Sequence, residues 1–270
     1  MSTEFQARVE PQQLTGDSEI TFRCGKDRSC FTQCCRGIDI VLTPYDVIRM
    51  KKRLDLASDQ FLAIYTTPQL LEKTDLPVPT LKMLDDEEKS CPFVREDGCL
   101  IYEDRPASCR YYPVGHATLR PKEAEASENF YFLVKEPHCK GFDDTKWTVD
   151  SWRADQGVVE YDEANRPWTD LVVRKRSFPP NLRITKEAKA MYFMACYDLD
   201  RFMRFLTESS FTKLYDVSDE LLNRVREDEV ARLALAVQWL EGVLFKRGPY
   251  AVKEDKAAAR MEERGKAKKE

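Results

Sequence analysis

Apolar and polar positions follow different patterns on either side of about residue 146. Beyond it, apolar residues recur at helical spacing in two stretches. The first stripe is formed by Tyr192, Cys196, Leu199, Met203 and Leu206, and the second by Val230, Leu233, Val237, Leu240 and Leu244. This spacing predicts two amphipathic helices, each with one buried face. Because Cys196 lies on the first stripe, we expect it to be a core residue.

Before residue 146, short apolar runs alternate with turn residues, which indicates short strands and helices. Residues 38–42 and 130–134 are the clearest expected strands, and residues 77–84 are expected to be extended. Residues 91–102 predict a β-hairpin with a cysteine near each end, followed by a helical turn that carries Cys109.

Two helices are expected between these strands. Thr43, Pro44 and Asp46 supply an N-cap, a proline at the first helical position and an acid three residues after the cap, which predicts a helix to about Leu54. A second helix is expected over residues 58–65, capped by Ser58 and stopped by Pro68.

These patterns predict an α+β protein with four parts. Residues 1–20 would be a flexible arm, and residues 21–145 an irregular, metal-stabilised cysteine-cluster domain of short strands and helices. Residues 146–247 would form a helical region, and residues 248–270 a charged tail.

Composition limits the class of protein. The chain has 270 residues, 42% of them hydrophobic, so it can bury one sizeable core or two modest ones. Its net charge of −4 argues against a nucleic-acid partner. The N-terminus has neither the basic nor the apolar region of a secretory signal, and no window is apolar enough for a membrane span. We therefore expect a cytoplasmic protein with no membrane partner.

The candidate chemistry lies in the cysteines, because eight of the nine fall in the first half of the chain. In a reducing compartment, thiolates gathered this densely predict metal ligation rather than a disulfide framework, with redox thiols as a further alternative. The expected ligands are Cys24, Cys30, Cys34, Cys35, Cys91, Cys99, Cys109 and Cys139.

Spacing says less about which metal is bound. Cys34 and Cys35 are adjacent, so their side chains more easily serve two metals, or two edges of one cluster, than one tetrahedral ion. Eight ligands match two [4Fe–4S] clusters or two zinc ions, and one cluster plus a redox or catalytic set stays open. Neither the usual repeated C-x2-C zinc spacing nor the ferredoxin run is present.

The cysteine spacing also resembles a known family. Cys24-x5-Cys30-x3-Cys34-Cys35, then Leu42 to Met50, Cys91-Pro-Phe and the stretch from Cys99 to Pro113 resemble the YkgJ-type cysteine-cluster (CxxCxxCC) family, over about residues 22–142. That family is described as zinc- or iron-chelating and has eight shared cysteines. Here the first two gaps are five and three residues instead of two and two.

The resemblance implies a cysteine-ligated metal site. The same family includes the flagellin lysine N-methylases, which use S-adenosylmethionine and carry an iron–sulfur cluster. Iron–sulfur therefore stands ahead of zinc among the implied cofactors, with S-adenosylmethionine as a further one.

Two arginines flank Cys109 and are candidate cofactor-binding residues. Arg105 and Arg110 could offset the charge of a thiolate cluster or grip a carboxylate substrate, or they could form structural pairs with Glu103 or Asp104. No catalytic residue emerges. The glycine-rich nucleotide motifs, the H-E-x-x-H motif and the C-x3-C-x2-C triplet of radical S-adenosylmethionine enzymes are not found in the sequence.

Three functions follow as hypotheses. The first is a metal-cluster protein with a redox or cluster-dependent modifying activity, such as an iron–sulfur oxidoreductase, acting with a redox partner or on a protein substrate. The second is a structural zinc-binding interaction module. The third, from the resemblance alone, is an S-adenosylmethionine-dependent protein lysine N-methyltransferase.

Overall fold

The computed structural model describes residues 8–9, 12–119, 128–143, 145–179 and 183–250. The described chain is an α+β fold with a helical C-terminal region, as the sequence predicts. Within these ranges, no helix combines the length and the apolar character needed to cross a bilayer.

The strands are short and pair antiparallel. Strand β8 lies between β1 and β7, while β2 pairs with β9, β3 with β4, and β5 with β6. Their bounds are β1 Arg8–Val9, β2 Glu19–Thr21, β3 Thr66–Leu71, β4 Leu76–Leu81, β5 Val94–Arg95, β6 Gly98–Cys99, β7 Val114–Leu119, β8 Glu128–Lys135 and β9 Lys146–Thr148.

Three helices interrupt the strands and the remainder follow them. The first three are α1 Pro44–Arg53, α2 Ser58–Tyr65 and α3 Ala107–Tyr111. The C-terminal helices are α4 Val149–Asp155, α5 Val158–Arg176, α6 Lys186–Tyr197, α7 Leu199–Glu208, α8 Phe211–Leu214, α9 Asp219–Glu227 and α10 Glu229–Phe245.

Helix α1 forms for the reason that its sequence indicates. The Thr43 side chain accepts the Asp46 N–H, and the Asp46 side chain accepts the Thr43 N–H, which completes a capping box with Pro44 at the first position. Lys51, Lys52 and Arg53 lie in the last turn, where cations favour the negative end of the helix dipole. The predicted helix is confirmed.

The first apolar stripe was expected to form one helix, but the chain breaks at Asp198. The backbone of Asp198 leaves the helical region (φ −102°, ψ 65°), and its side chain caps α7 by accepting the Arg201 N–H. The Ser58 hydroxyl donates to the same carboxylate at 2.6 Å. A buried cap contact therefore outweighs helical continuity, and the stripe is shared by α6 and α7. Cys196 is fully buried, as predicted.

Several local predictions are corrected by contacts between distant residues. Residues 38–42 form an isolated bridge, Val41 to Thr80, rather than a strand. Ala57, not Ser58, occupies the N-cap of α2, because Ser58 is turned towards Asp198. Pro68 lies inside β3, on an edge strand where its missing N–H is tolerated.

Two apolar clusters form the core. The larger one joins α1, α2 and the β3–β4 pair to helices α5–α10, and it therefore contains residues from both sides of position 146. The smaller one is built around Phe22, Tyr131 and Trp152. Leu14 and Ile20, from the segment that the sequence assigned to a flexible arm, belong to this smaller cluster, because Leu14 pairs with Tyr131 and β2 pairs with β9. The predicted tail lies outside the described residues from 251 onwards.

Candidate metal centre

Four separate segments supply the eight clustered cysteines. They are the loop after β2, the segment that ends in the β5–β6 hairpin, helix α3 and the loop after β8. Every cysteine in the chain is a free thiol. Of the eight clustered cysteines, three are exposed to solvent (Cys24, Cys34 and Cys109), Cys91 is buried, and the other four are half-buried.

The loop after β2 is held by polar contacts, since Phe31 is its single large apolar side chain between residues 23 and 36. Arg28 forms an ion pair with Asp143, which follows Cys139 in the chain. Arg36 forms an ion pair with Glu88 at 2.8 Å, just before Cys91. The two ends of the loop are thus attached to two different cysteine segments.

Cys24, Cys30 and Cys139 are neighbours at the first of these attachments. The Arg23 N–H donates to the Gly141 carbonyl at 2.8 Å, and the Lys140 N–H donates to the Cys30 Sγ at 3.2 Å. Partial desolvation raises the pKa of the Cys24 thiol, and the charges of Cys34, Cys139 and Cys30 raise it further. Such mutual repulsion is what a bound cation would reverse.

Cys35, Cys91, Cys99 and Cys109 are neighbours at the second attachment. The Cys91 N–H donates to the Cys35 carbonyl at 2.8 Å, and Cys99 lies opposite Val94 in the hairpin. Desolvation raises the pKa of Cys109, and repulsion from Cys91 and Asp46 adds to the rise. Cys109 is nonetheless exposed to solvent as a residue.

Cys34 lies between the two attachments. The Cys35 thiol donates a hydrogen bond to the Cys34 sulfur, which lowers the pKa of Cys34 to about 7 and raises that of Cys35. Cys34 also repels Cys24 and Cys139 on one side and Cys99 and Cys109 on the other. Each of the eight predicted residues is therefore near enough to another for the charge of one thiolate to raise the pKa of a neighbour.

The two candidate arginines have different surroundings. The Arg105 guanidinium lies 3.9 Å from the centre of the Tyr102 ring and donates to the Gln156 side chain at 2.7 Å. Its positive charge opposes the rise in the pKa of Cys99 that burial causes, and the charges of Cys109 and Cys99 in turn act on Arg105. Arg105 is therefore close to the second group of thiols.

Arg110 donates to main-chain carbonyls. Its guanidinium contacts the carbonyl oxygens of Glu103, Arg105 and Gln156, so its donors organise the backbone that precedes α3 and follows α4. The predicted pairing with the Glu103 or Asp104 side chain does not form, because the contact to Glu103 is to its carbonyl oxygen.

Two supporting contacts were not evident from the sequence. The Asp46 carboxylate accepts the Ala107 N–H at 2.8 Å, across 61 positions of sequence, besides capping its own helix. The buried Tyr112 hydroxyl has no oxygen or nitrogen partner and lies against the Cys139 thiol. The cap signal at Asp46 was visible in the sequence, but its second partner was not.

The remaining ring groups have structural contacts. The Tyr111 hydroxyl donates to Asp162 at 2.6 Å, and His116 is stacked between Tyr111 and Tyr131. Tyr102 is 53% exposed beside Arg105.

The donor set fits a thiophilic metal by its chemistry, since it consists of free thiols that repel one another when ionised. Within the described residues, no three Cys, His, Asp or Glu side chains already surround a single point as a mononuclear ion requires. The side chains of these neighbouring thiols would therefore have to turn towards a bound metal in order to ligate it.

Comparison with known proteins agrees with this donor set. Residues 23–140 match the family model CxxCxxCC, described as a "putative zinc- or iron-chelating domain". This segment of the chain is therefore similar to the CxxCxxCC domain. The CxxCxxCC domain begins just before Cys24 and ends just after Cys139, so it includes all eight clustered thiols and leaves out Cys196. Neither the curated proteins nor the solved structures gave a match.

Proposed function

We propose that the CxxCxxCC domain of this chain holds iron–sulfur clusters on its eight clustered cysteines, and that these clusters take part in electron transfer or in the modification of a substrate. The observation that carries the proposal is that chain segments bearing eight free thiols lie against one another, through contacts such as those of the Lys140 N–H with the Cys30 sulfur and the Cys91 N–H with the Cys35 carbonyl. The family description supports metal chelation by this domain.

Iron–sulfur is favoured over single zinc ions by the adjacent pair Cys34 and Cys35, because neighbouring thiolates serve two edges of one cluster, or two metals, more easily than one tetrahedral ion. In a polynuclear cluster, each thiolate binds a different iron atom, so the sulfurs stand farther apart than around one tetrahedral ion. The exposed thiols of Cys24, Cys34 and Cys109 also leave the site open to a partner, which electron exchange needs.

The chain's own groups would adjust such a centre. When bound, an iron–sulfur cluster supplies one-electron redox chemistry whose potential depends on nearby charge and hydrogen bonds. Arg105 places a positive charge beside Cys99 and Cys109, while Tyr112 places a hydroxyl beside Cys139. Both groups stabilise thiolate, the form that ligates metal.

The test is anaerobic purification followed by iron, zinc and sulfide analysis. We expect a coloured protein that contains iron and acid-labile sulfide and is bleached by dithionite, because sulfur-to-iron charge transfer absorbs visible light. A colourless protein with stoichiometric zinc and no sulfide would reject the redox proposal and leave the zinc-binding module, which the family description equally allows.

The lysine methyltransferase hypothesis stays a prediction from the resemblance to flagellin lysine N-methylases. It requires that the metal-loaded protein bind S-adenosylmethionine, which calorimetry can measure. Failure to bind would remove this alternative without affecting the proposed metal site.

A further inference from the structure

We infer that the eight cysteines form two separate four-thiolate centres that are joined through the Cys34–Cys35 peptide bond. This inference rests on the proposed function and adds which thiols share a centre. The loop centre would consist of Cys24, Cys30, Cys34 and Cys139. The hairpin centre would consist of Cys35, Cys91, Cys99 and Cys109.

Backbone contacts separate the two sets. In the loop centre, the hydrogen bond from the Arg23 N–H to the Gly141 carbonyl and that from the Lys140 N–H to the Cys30 sulfur bring two of the four segments together, with the thiols of Cys24, Cys30 and Cys139. In the hairpin centre, the Cys91 N–H donates a hydrogen bond to the Cys35 carbonyl. The Val94 N–H donates to the Cys91 carbonyl at 3.1 Å, and this contact starts the hairpin that carries Cys99.

The two sets also pack against different cores. Cys35, Cys91 and Cys99 belong to the larger apolar cluster or pack against it, whereas Cys139 packs against the smaller one. A single centre with all eight ligands would have to draw side chains away from one of these cores. Two centres let each set stay with its own core.

Cys109 joins the hairpin set through helix α3. In the first turn of α3, the Ala107 N–H donates a hydrogen bond to the Asp46 carboxylate. The Arg110 guanidinium donates to the carbonyl oxygens of Glu103 and Arg105, which precede this helix. These contacts fix the start of α3, and Ala107, two positions before Cys109, packs against the larger apolar cluster together with Cys91 and Cys99.

The adjacent residues Cys34 and Cys35 mark the boundary between the two sets of ligands. The Cys35 carbonyl accepts a hydrogen bond from the Cys91 N–H, and the Cys35 side chain packs against the larger core. Cys35 therefore faces the hairpin set. Cys34 is exposed and belongs to neither apolar cluster, so its side chain can turn to the loop set as the fourth ligand. Since adjacent Cα atoms are about 3.8 Å apart, two centres served by this pair must be close neighbours.

Alanine variants of exposed ligands test the division without opening cavities in either core. Cys24→Ala should lose the loop centre and Cys109→Ala the hairpin centre, so each is expected to keep about half of the wild-type metal after anaerobic reconstitution. Cys24→Ala with Cys34→Ala should keep the same half, whereas Cys24→Ala with Cys109→Ala should keep almost none. Cys196→Ala, in the helical core, is the matched control and should keep all of it.

The outcomes separate the two proposals. A wild-type protein that binds no metal overturns the proposed function. If the wild-type protein binds metal, two results would overturn the division into two centres and leave the proposed function standing. One is that Cys24→Ala and Cys109→Ala each lose all of the metal. The other is that adding Cys34→Ala to Cys24→Ala increases the loss. Far-ultraviolet circular dichroism of every variant shows whether a loss of metal reflects unfolding. If one variant unfolds, Cys34→Ala and Cys139→Ala must then reproduce the loop-centre pattern.

Discussion

The carboxylate of Asp46 accepts the backbone N–H of Ala107 at 2.8 Å, and this contact ties the start of helix α1 to the start of helix α3. The other carboxylate oxygen accepts the Thr43 N–H at 2.7 Å. A fully buried side chain thus satisfies the first turns of two helices, one of which carries Cys109.

Replacing Asp46 should therefore disturb both stability and the metal site. Asp46→Ala leaves two buried N–H groups without acceptors, so we expect it to lower the free energy of unfolding by about 2–4 kcal/mol. Asp46→Asn keeps one acceptor oxygen and should cost less. Urea denaturation measures both effects, and metal analysis should show a loss confined to the centre that contains Cys109. If Asp46→Ala were as stable as the wild type, the role of the Asp46 carboxylate in holding the two helix starts would be contradicted.

Arg110 is expected to act on the backbone and not on a bound anion. Arg110→Lys keeps the charge but loses the fork that reaches the carbonyls of Glu103, Arg105 and Gln156, so we expect it to lose about 2–3 kcal/mol of unfolding free energy. Thermal or urea unfolding gives the value. If Arg110→Lys were as stable as the wild type, the three carbonyl contacts would have little weight.

Helices and strands that depend on residues close together in the chain could be predicted from the sequence. The capping box at Thr43 and Asp46 is local, so helix α1 was predictable almost to the residue. The strand around residues 130–134 was predictable for the same reason. The helix break at Asp198 was not, because it depends on Ser58, 140 positions away.

The same distinction applies to the cysteines. Composition and density were enough to name eight candidate ligands and to set Cys196 apart as a core residue. Which thiols meet depends on long-range contacts, such as the one between Lys140 and Cys30 across 110 positions. Spacing along the chain carries no information about that pairing.

Arg105 should adjust the redox potential of the centre that contains Cys99 and Cys109. Removing its positive charge disfavours the extra electron, so on the iron–sulfur proposal Arg105→Gln should lower the midpoint potential of that centre by tens of millivolts. Arg105→Lys retains the charge and is the matched control, with a smaller shift expected. Potentiometric titration followed by electron paramagnetic resonance measures both. An unchanged potential in Arg105→Gln would show that this charge is screened from the centre.

Asp75 should contribute an acid-sensitive part of the stability, far from the cysteines. Lys189 lies 2.7 Å from its carboxylate and, with the Ile184 N–H, holds the pKa of Asp75 below its ordinary value. A carboxyl with a depressed folded pKa stabilises the fold above its unfolded pKa of about 3.9 and loses that contribution as pH falls through the folded pKa. Asp75→Asn should thus cost about 1–2 kcal/mol near pH 7.

The difference between Asp75→Asn and the wild type isolates this group from all other titrations. We expect the difference in unfolding free energy to be constant above about pH 5 and to shrink below pH 4, as the wild-type carboxyl takes up its proton. Urea denaturation at a series of pH values measures it. A difference that grows towards acid pH would reverse the predicted sign.

Tyr112 should support the ligand role of Cys139. Burial raises the pKa of the Cys139 thiol, and the neighbouring Tyr112 hydroxyl opposes that rise. Tyr112→Phe removes the hydroxyl alone, so the thiolate should become harder to form, by about 1 kcal/mol or roughly fivefold in metal affinity at pH 7. Tyr102→Phe, which alters an exposed hydroxyl, is the control. Competition with a chelator measures the affinities. Because the loss acts through ionisation of the thiol, it should diminish as the pH is raised, whereas a loss caused by altered packing would be the same at every pH.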